Sequence, residues 1–181
     1  MLLCLMGCNT NQVIHSDLKY YHFSTTKGNF KNIEFDYPKD WGPVSESKIY
    51  PGIMSIADPE YANSKENLIH GTILIAIFTV EPGTIEQEIN NDINSIKKVS
   101  GTTIIKEMIF FISGFQSHKL VAEFKPTYYI TPYLNVREDI FIPINDSTYY
   151  WFILEVPESE RNGAFGQGFD KVMSSLVIKS R

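Results

Sequence analysis

An unbroken apolar run sets the first condition on the fold. Residues 69–80, IHGTILIAIFTV, contain no Lys, Arg, Asp or Glu, and large apolar side chains occupy successive positions. A strand with one solvated face alternates apolar and polar residues, whereas an unbroken apolar run is typical of a strand covered on both sides. Glu81-Pro82-Gly83 ends the run. The sequence therefore predicts a central strand with further layers of structure on both faces.

The strongest helix pattern follows this strand directly. Four isoleucines recur at helical spacing and form one apolar stripe: Ile85, Ile89, Ile93 and Ile96. Thr84 is a candidate N-cap, and Gln87 stands where a capping box places its second member. Gly101 occupies a plausible position just past the C-terminus. We therefore predict an amphipathic helix between Thr84 and Gly101.

Strand patterns occupy most of the remaining chain. The predicted strands cover residues 18–25, 29–37, 52–59, 102–111, 115–125, 135–144 and 148–157. The first two are expected to form a hairpin through a turn at residues 26–29. Residues 158–178 carry a helical stripe, but glycines weaken its first turn. The segment 162–168, NGAFGQG, lacks the lysine of a phosphate-binding loop and is expected to be a flexible entry to that helix.

A corner is predicted where the second strand ends. The alternation of Ile33, Phe35 and Tyr37 stops at Pro38, which cannot donate a ladder hydrogen bond and keeps its predecessor extended. Trp41 follows closely and is expected to fold back over the sheet edge. The order of elements predicts an α+β fold, in which a single antiparallel β-sheet carries helices packed on its faces.

Length and charge limit the classes of function. The 181 residues suit one domain, and 43% hydrophobic with 20% charged residues is a globular composition. The net charge is −5, and the densest basic spot, Lys97-Lys98, falls on the predicted helix, where a solvated face explains it. Nucleic acid is therefore not an expected partner, because binding it requires a clustered basic surface.

The first residues, MLLCLMGC, resemble the tail end of a bacterial lipoprotein signal, with Leu5-Met6-Gly7-Cys8 in place of the lipobox. The resemblance implies that the Cys8 thiol is diacylglycerylated and that residues 1–7 are the remnant of a longer signal. Residues 8–17 would then be a tether, and residues 18–181 a single domain in the bacterial cell envelope, lipid-anchored outside the cytoplasm. The alternative is a cytosolic protein with an apolar N-terminus.

Several segments together resemble the PsbP/Mog1-like family, named for an extrinsic subunit of photosystem II and a nuclear-transport factor. They are FDYPKDW (35–41), EPGTIEQEINNDINSI (81–96), GFQSHKLVAEF (114–124), and YYWFILEVPES with FDKVMSSL near the end. The likeness extends over about residues 28–178. It implies an antiparallel sheet with helices on both faces, and binding rather than catalysis. No ion-binding residue of the family matches a motif in this chain.

Motifs for catalysis or metal binding do not occur in the sequence. No two of the histidines (His15, His22, His70 and His118) stand at ligand spacing, and no serine lies in a nucleophile elbow. If Cys4 leaves with the signal, lipid occupies the last cysteine and no disulfide or cysteine nucleophile can form. We therefore predict no catalytic residue, metal site or cofactor.

An aromatic group is the best candidate for a ligand or partner surface. Tyr128 and Tyr129 fall between Pro126 and Pro132, Tyr133 follows Pro132 directly, and Trp151 lies on a late strand. Amphipathic aromatics bury a large area at low entropic cost, which suits binding surfaces. Arg137 on the neighbouring predicted strand adds charge. The alternatives are that the aromatics pack the core and that residues 137–139 alternate into solvent.

The predicted function is that of a non-catalytic, membrane-tethered lipoprotein acting as a ligand- or protein-binding or scaffold module. It would associate with the membrane through its lipid and with a protein or small molecule through its domain. Two alternatives stay open. One is a hydrolase-type enzyme with a site assembled from distant residues, and the other is a cytosolic adaptor resembling the nuclear-transport member.

Overall fold

A computed structural model describes residues 20–41, 44–47, 50–56, 72–125 and 134–179. Ten strands and two α-helices lie within them. The strands are β1 (Tyr20–Ser24), β2 (Ile33–Pro38), β3 (Ser45–Glu46), β4 (Ile53–Ile56), β5 (Thr72–Thr79), β6 (Thr102–Ile112), β7 (Phe115–Phe124), β8 (Asn135–Pro143), β9 (Thr148–Pro157) and β10 (Val177–Ile178). The helices are α1 (Ile85–Lys97) and α2 (Ala164–Ser175), and short 3-10 turns occupy Lys39–Trp41 and Glu158–Glu160.

Seven strands form one antiparallel sheet in the order β3-β4-β5-β9-β8-β7-β6. The apolar run supplies β5, which pairs with β4 on one side and β9 on the other. Ile73 and Ile75 on β5 are fully buried. The predicted central strand is thereby confirmed, and the hairpin β8–β9 places two further buried strands beside it.

The prediction of one sheet was wrong, because β1, β2 and β10 form a separate three-stranded sheet. The 3-10 turn at Lys39–Trp41 ends β2 and leads the chain out of the small sheet. β10 has only two residues, Val177 opposite Glu34 and Ile178 opposite Ile33, and no sequence pattern predicted it. The α+β class is unaffected, since both sheets are antiparallel.

Both faces of the large sheet are covered, as the apolar run predicted. On the face we call outer, the isoleucine stripe of α1 packs against Leu120, Phe141 and Tyr149. On the inner face, the small sheet and α2 enclose the main core. Its largest buried side chains are Tyr150, Phe30, Phe35, Phe152, Phe165 and Phe169. No helix of the described ranges is long and apolar enough to cross a membrane.

Trp41 closes the corner between the small sheet and α2. Its side chain is 5% exposed, and its ring stacks on Phe165 at a centroid distance of 5.0 Å. The predicted burial of Trp41 is confirmed. The flexible loop predicted for residues 162–168 is wrong, because α2 already begins at Ala164. A Cβ at Gly168 would lie 2.1 Å from the Trp41 ring, so close contact explains that glycine.

The start of α1 differs from the predicted capping box. Thr84 has φ −101° and ψ −1°, and its side chain makes no capping hydrogen bond. Its hydroxyl instead donates to the carbonyl oxygen of Glu81 at 2.7 Å. At the other end, Gly101 has a φ of +80°. It lies three residues beyond the C-cap Lys98, where it turns the chain into β6.

Candidate functional site

Strands β8 and β9 carry a charged and aromatic cluster on the outer face. Their register places Arg137 opposite Glu155 and Phe141 opposite Trp151. Side chains two residues apart on a strand share a face, so Asp139 lies beside Arg137 on the same side. Because both strands are interior to the sheet, the backbone holding these side chains is hydrogen-bonded on both edges.

One buried carboxylate orients the two predicted surface residues. Asp139 is 0% exposed. It accepts hydrogen bonds from Arg137 Nε and Nη2, each at 2.8 Å, and from Trp151 Nε1 at 2.8 Å. The guanidinium carbon of Arg137 lies 5.7 Å from the centre of the Trp151 ring, within cation–π range. The structure thus brings Arg137 and Trp151 together and fixes both through Asp139.

Burial and neighbouring charges shift the pKa values of three groups in this cluster. Burial raises the pKa of Asp139, although Arg137 and Trp151 act in the opposite direction. Burial also raises the pKa of Glu155. For Arg137, burial lowers the pKa, but the hydrogen bonds and charge of Asp139 raise it above its ordinary value overall. The guanidinium is therefore a permanent cation, and its side chain is 25% exposed.

An aromatic wall continues from Trp151 toward helix α1. Trp151 stacks on Phe141 at 5.0 Å and lies 5.8 Å from Phe78, measured between ring centres. Phe78 is 37% exposed. Tyr149 donates a hydrogen bond to Asp92 of α1 at 2.6 Å, and burial followed by the Asp92 contact raises its pKa. We call Arg137, Trp151 and Phe78 the outer-face surface.

The other predicted members of this surface, Tyr128, Tyr129 and Tyr133, lie outside the described residues, as does Cys8. The interpretation that residues 137–139 alternate into solvent was wrong, because Glu138 is 3% exposed and Asp139 is fully buried. Asp139 was missed as the organising residue. The available signal was its position two residues after Arg137, which places both side chains on one face.

The described histidines make pairwise contacts with carboxylates. His22 Nδ1 lies 3.0 Å from Asp36 on the exposed side of the small sheet. His118 Nε2 lies 3.3 Å from Glu86 and connects β7 with α1. His15 and His70 lie outside the described residues. Within the described ranges, no group of three or more His, Cys, Asp or Glu side chains could hold a metal ion.

A cavity of about 200 Å³ lies on the inner side, near the turn between β8 and β9. Asn29, Asn145, Thr148 and Lys179 contribute polar groups to its lining. The Lys179 ammonium is already paired with Glu34 at 2.5 Å. Sites for small molecules usually enclose about 300–1,000 Å³. This cavity is therefore small for a ligand site and is a weaker candidate than the outer-face surface.

No family model matches the chain, and no curated protein matches its sequence. Similar solved structures do exist. LpqN of Mycobacterium tuberculosis, described as involved in cell envelope biogenesis, is 13% identical with a TM-score of 0.57, over 90% of this chain and 91% of that protein. Cyanobacterial PsbP (CyanoP) of Synechocystis sp. PCC 6803 is 15% identical with a TM-score of 0.54, over 96% of this chain and 98% of that protein.

The Ran-binding protein Mog1p of Saccharomyces cerevisiae is 10% identical with a TM-score of 0.53, over 90% of this chain and 96% of that protein. The chain has a PsbP/Mog1-like fold. The predicted resemblance is thereby confirmed at the level of structure. At these identities, the PsbP/Mog1-like likeness establishes the fold alone, so the function is argued from the surface.

We expect replacement of Trp151 by phenylalanine to lower the free energy of unfolding by about 1.5 kcal/mol, because a buried carboxylate loses a donor. Urea denaturation measures the change. In an Asp139→Asn background the same replacement should cost much less, because the acceptor is then uncharged. Equal losses in the two backgrounds would show that the negative charge of Asp139 does not strengthen its hydrogen bond with Trp151.

Proposed function

We propose that the protein is a non-catalytic, membrane-tethered lipoprotein that binds a ligand or protein partner through the outer-face surface. The observation that carries this proposal is the fixed geometry of Arg137 and Trp151 around the buried Asp139 carboxylate. Arginine and tryptophan are the residue types enriched at binding hot spots. Side chains that are ordered before binding lose less conformational entropy when a partner arrives.

The cluster is better suited to binding than to catalysis. The Asp139 carboxylate is occupied by three N–H donors and is fully buried, so a substrate cannot reach it as an acid or base. The exposed parts are an arginine cation and aromatic faces, which recognise groups without forming bonds. A carboxylate of the partner would complement the arginine cation. An aromatic or cationic group of the partner would complement the aromatic faces.

The lipobox-like segment ending at Cys8 and the likeness to LpqN, which is described as involved in cell envelope biogenesis, support an envelope location. The likeness to a Ran-binding protein supports a role in binding for this fold. The tether of residues 8–17 would keep the outer-face surface within a short distance of the membrane. This arrangement favours a membrane-associated partner.

The anchor has a direct test. We expect mass spectrometry of the protein from native membranes to show a diacylglyceryl group on Cys8. A Cys8→Ser variant expressed in the native organism should lose the modification and move from the membrane fraction to the soluble fraction. An unmodified Cys8 thiol in the native organism would remove the proposed anchor and favour the cytosolic adaptor.

The binding surface is tested by photo-crosslinking in native membranes. We expect wild-type protein to capture one specific partner, and Phe78→Ser to lose most of that capture. Tyr50→Ser is the matched control, because Tyr50 is 65% exposed but lies at the β3–β4 turn. Equal capture by both variants would contradict the assigned surface. Turnover in a broad activity screen that Arg137→Lys abolishes would favour the enzyme alternative.

A further inference from the structure

The free edge of the large sheet is unusually apolar. Strand β6 ends the seven-stranded order and pairs only with β7 among the described residues. It is eleven residues long, and three of its apolar side chains are more than half exposed: Ile105 at 54%, Ile109 at 58% and Phe111 at 72%. A long, exposed, apolar edge strand offers unpaired backbone groups to another chain.

Protection against pairing is confined to one half of this strand. The first half contains a bulge between Ile104 and Lys106, followed by the charged pair Lys106-Glu107. Bulges and charges are the usual means of blocking an edge. The second half, residues 108–112, has neither a charge nor a proline. The opposite edge of the same sheet, β3, has only two residues.

The unprotected half is complementary to itself. A two-fold axis perpendicular to the sheet at Phe110 would pair two copies antiparallel, with Phe110 opposite its own copy. Ile109 would face Phe111 of the second copy, and Met108 would face Ile112. Antiparallel partners directly opposite each other share a face, so the exposed Ile109 and Phe111 would cover each other on the outer face.

Charges are compatible with this register. Lys106 and Glu107 would lie opposite Gly114 and Ser113 of the second copy, so no like charges meet. Glu107 is already paired with Lys97 of α1 at 2.7 Å. The pairing therefore brings neither Lys106 nor Glu107 of β6 into the apolar contact.

The inner side of the edge provides space for a second copy. A groove of about 720 Å³ runs between the end of β6 and the segment formed by the C-terminus of α2 and β10. Phe110 and Ile112 line one wall, and Met173 and Val177 line the other. Val177 is 48% exposed. Inner-face side chains of an added strand would enter this groove.

We propose that two copies of this chain associate through β6, antiparallel about Phe110, and form one continuous sheet of fourteen strands. The occupant of the edge is a second copy because the segment 108–112 matches itself in apolar character on both faces. Symmetric pairing of this kind closes at the dimer, since the two-fold contact uses the same β6 edge of both chains.

Sedimentation of the full 181-residue chain, carrying Cys4→Ser and Cys8→Ser, tests the proposal. Over a concentration series we expect reversible growth from the 20.7 kDa monomer to twice that mass. Ile109→Lys and Phe111→Lys should each weaken association at least about tenfold, because an ammonium enters an apolar contact. Both positions are more than half exposed, so folding, checked by circular dichroism, should be retained.

Ile105→Lys is the matched control on the same strand. It has nearly the same exposure as Ile109 but lies outside the paired segment, so dimerisation should be unchanged. In the same cysteine-free background, Ile109→Cys with Phe111→Cys should yield a disulfide-linked dimer, because opposed residues are about 4.5–5.5 Å apart. A monomer at every concentration, open-ended aggregation, or association insensitive to Ile109→Lys and Phe111→Lys would overturn the proposal.

Discussion

Replacing Gly168 with alanine is expected to lower the free energy of unfolding by about 3 kcal/mol, because forced overpacking of a core costs this much. The added Cβ would lie 2.1 Å and 2.3 Å from two carbons of the Trp41 ring. Trp41 cannot move away freely, since it is 5% exposed and stacked on Phe165. Thermal unfolding should show a midpoint lower by roughly 6–12 °C for a chain of this size.

A double-mutant cycle identifies the cause of this loss. Trp41→Phe removes the part of the ring that Gly168 contacts, so adding Gly168→Ala to it should cost far less than in wild type. Gln167→Ala is the control within α2, because Gln167 is exposed, and its effect should stay within about 0.5 kcal/mol. Additive losses in the cycle would show that Trp41 does not exclude a side chain from position 168.

Replacing Glu138 with glutamine is expected to cost about 3 kcal/mol, because removing one partner of a buried ion pair leaves the others uncompensated. Glu138 is 3% exposed and contacts Lys119 Nζ at 2.5 Å. It also accepts a hydrogen bond from Arg161, which in turn pairs with Asp170 of α2 at 3.0 Å. The network therefore connects β7 and β8 with α2. Urea unfolding of wild type and Glu138→Gln measures the change in the free energy of unfolding.

Wild type and the Glu138→Gln variant should also differ in how their free energy of unfolding depends on pH. Burial acts to raise the pKa of Glu138, but Lys119 and Arg161 lower it below its ordinary value of 4.5. A lowered pKa contributes stability that is complete above the unfolded-state pKa and disappears as the pH falls through the folded-state pKa. The stability difference between wild type and Glu138→Gln should therefore shrink as the pH falls below the ordinary value of 4.5.

Glu34→Gln provides the control for this prediction. Glu34 pairs with Lys179 at 2.5 Å, but the two side chains are 25% and 56% exposed. Exposed ion pairs contribute about 0–1 kcal/mol. A similar loss for Glu34→Gln and Glu138→Gln would show that burial of the Glu138 network has no special effect on stability.

The elements with the strongest local patterns were predictable. The unbroken apolar run that ends at Glu81-Pro82-Gly83 indicated β5, and the isoleucine stripe indicated α1. Both were confirmed within a few residues. The burial of Trp41 followed from the abrupt end of the alternation at Pro38. In these segments, local pattern and tertiary packing favour the same structure.

Other features depend on contacts that no local pattern records. Gly166 and Gly168 lower the intrinsic helix propensity, yet α2 forms there because Trp41 and the Arg161 backbone pack against them. β10 has two residues, too few for a period, and it exists because β2 pairs with it. The separation into two sheets likewise depends on which strands meet in space.

Only part of the candidate site was predictable, because some of its contacts also join residues that are distant in sequence. Arg137 and Trp151 were found from residue type and from their places on adjacent strands. The face that Asp139 shares with Arg137 could be inferred from their spacing, but the burial of the Asp139 carboxylate could not, because it depends on packing against β9, which supplies the Trp151 donor. The contact between Tyr149 and Asp92 joins residues 57 positions apart, which sequence spacing does not reveal.

The indole N–H signals of the two tryptophans test the proposed binding surface most directly. In ¹⁵N-labelled protein, Trp41 is a buried internal reference and Trp151 belongs to the outer-face surface. On titration with a solubilised extract of native membranes, we predict that the Trp151 signal shifts or broadens while the Trp41 signal stays in place. If a partner binds at saturation and the Trp151 signal stays unchanged, the assignment of the outer-face surface as the binding surface is contradicted.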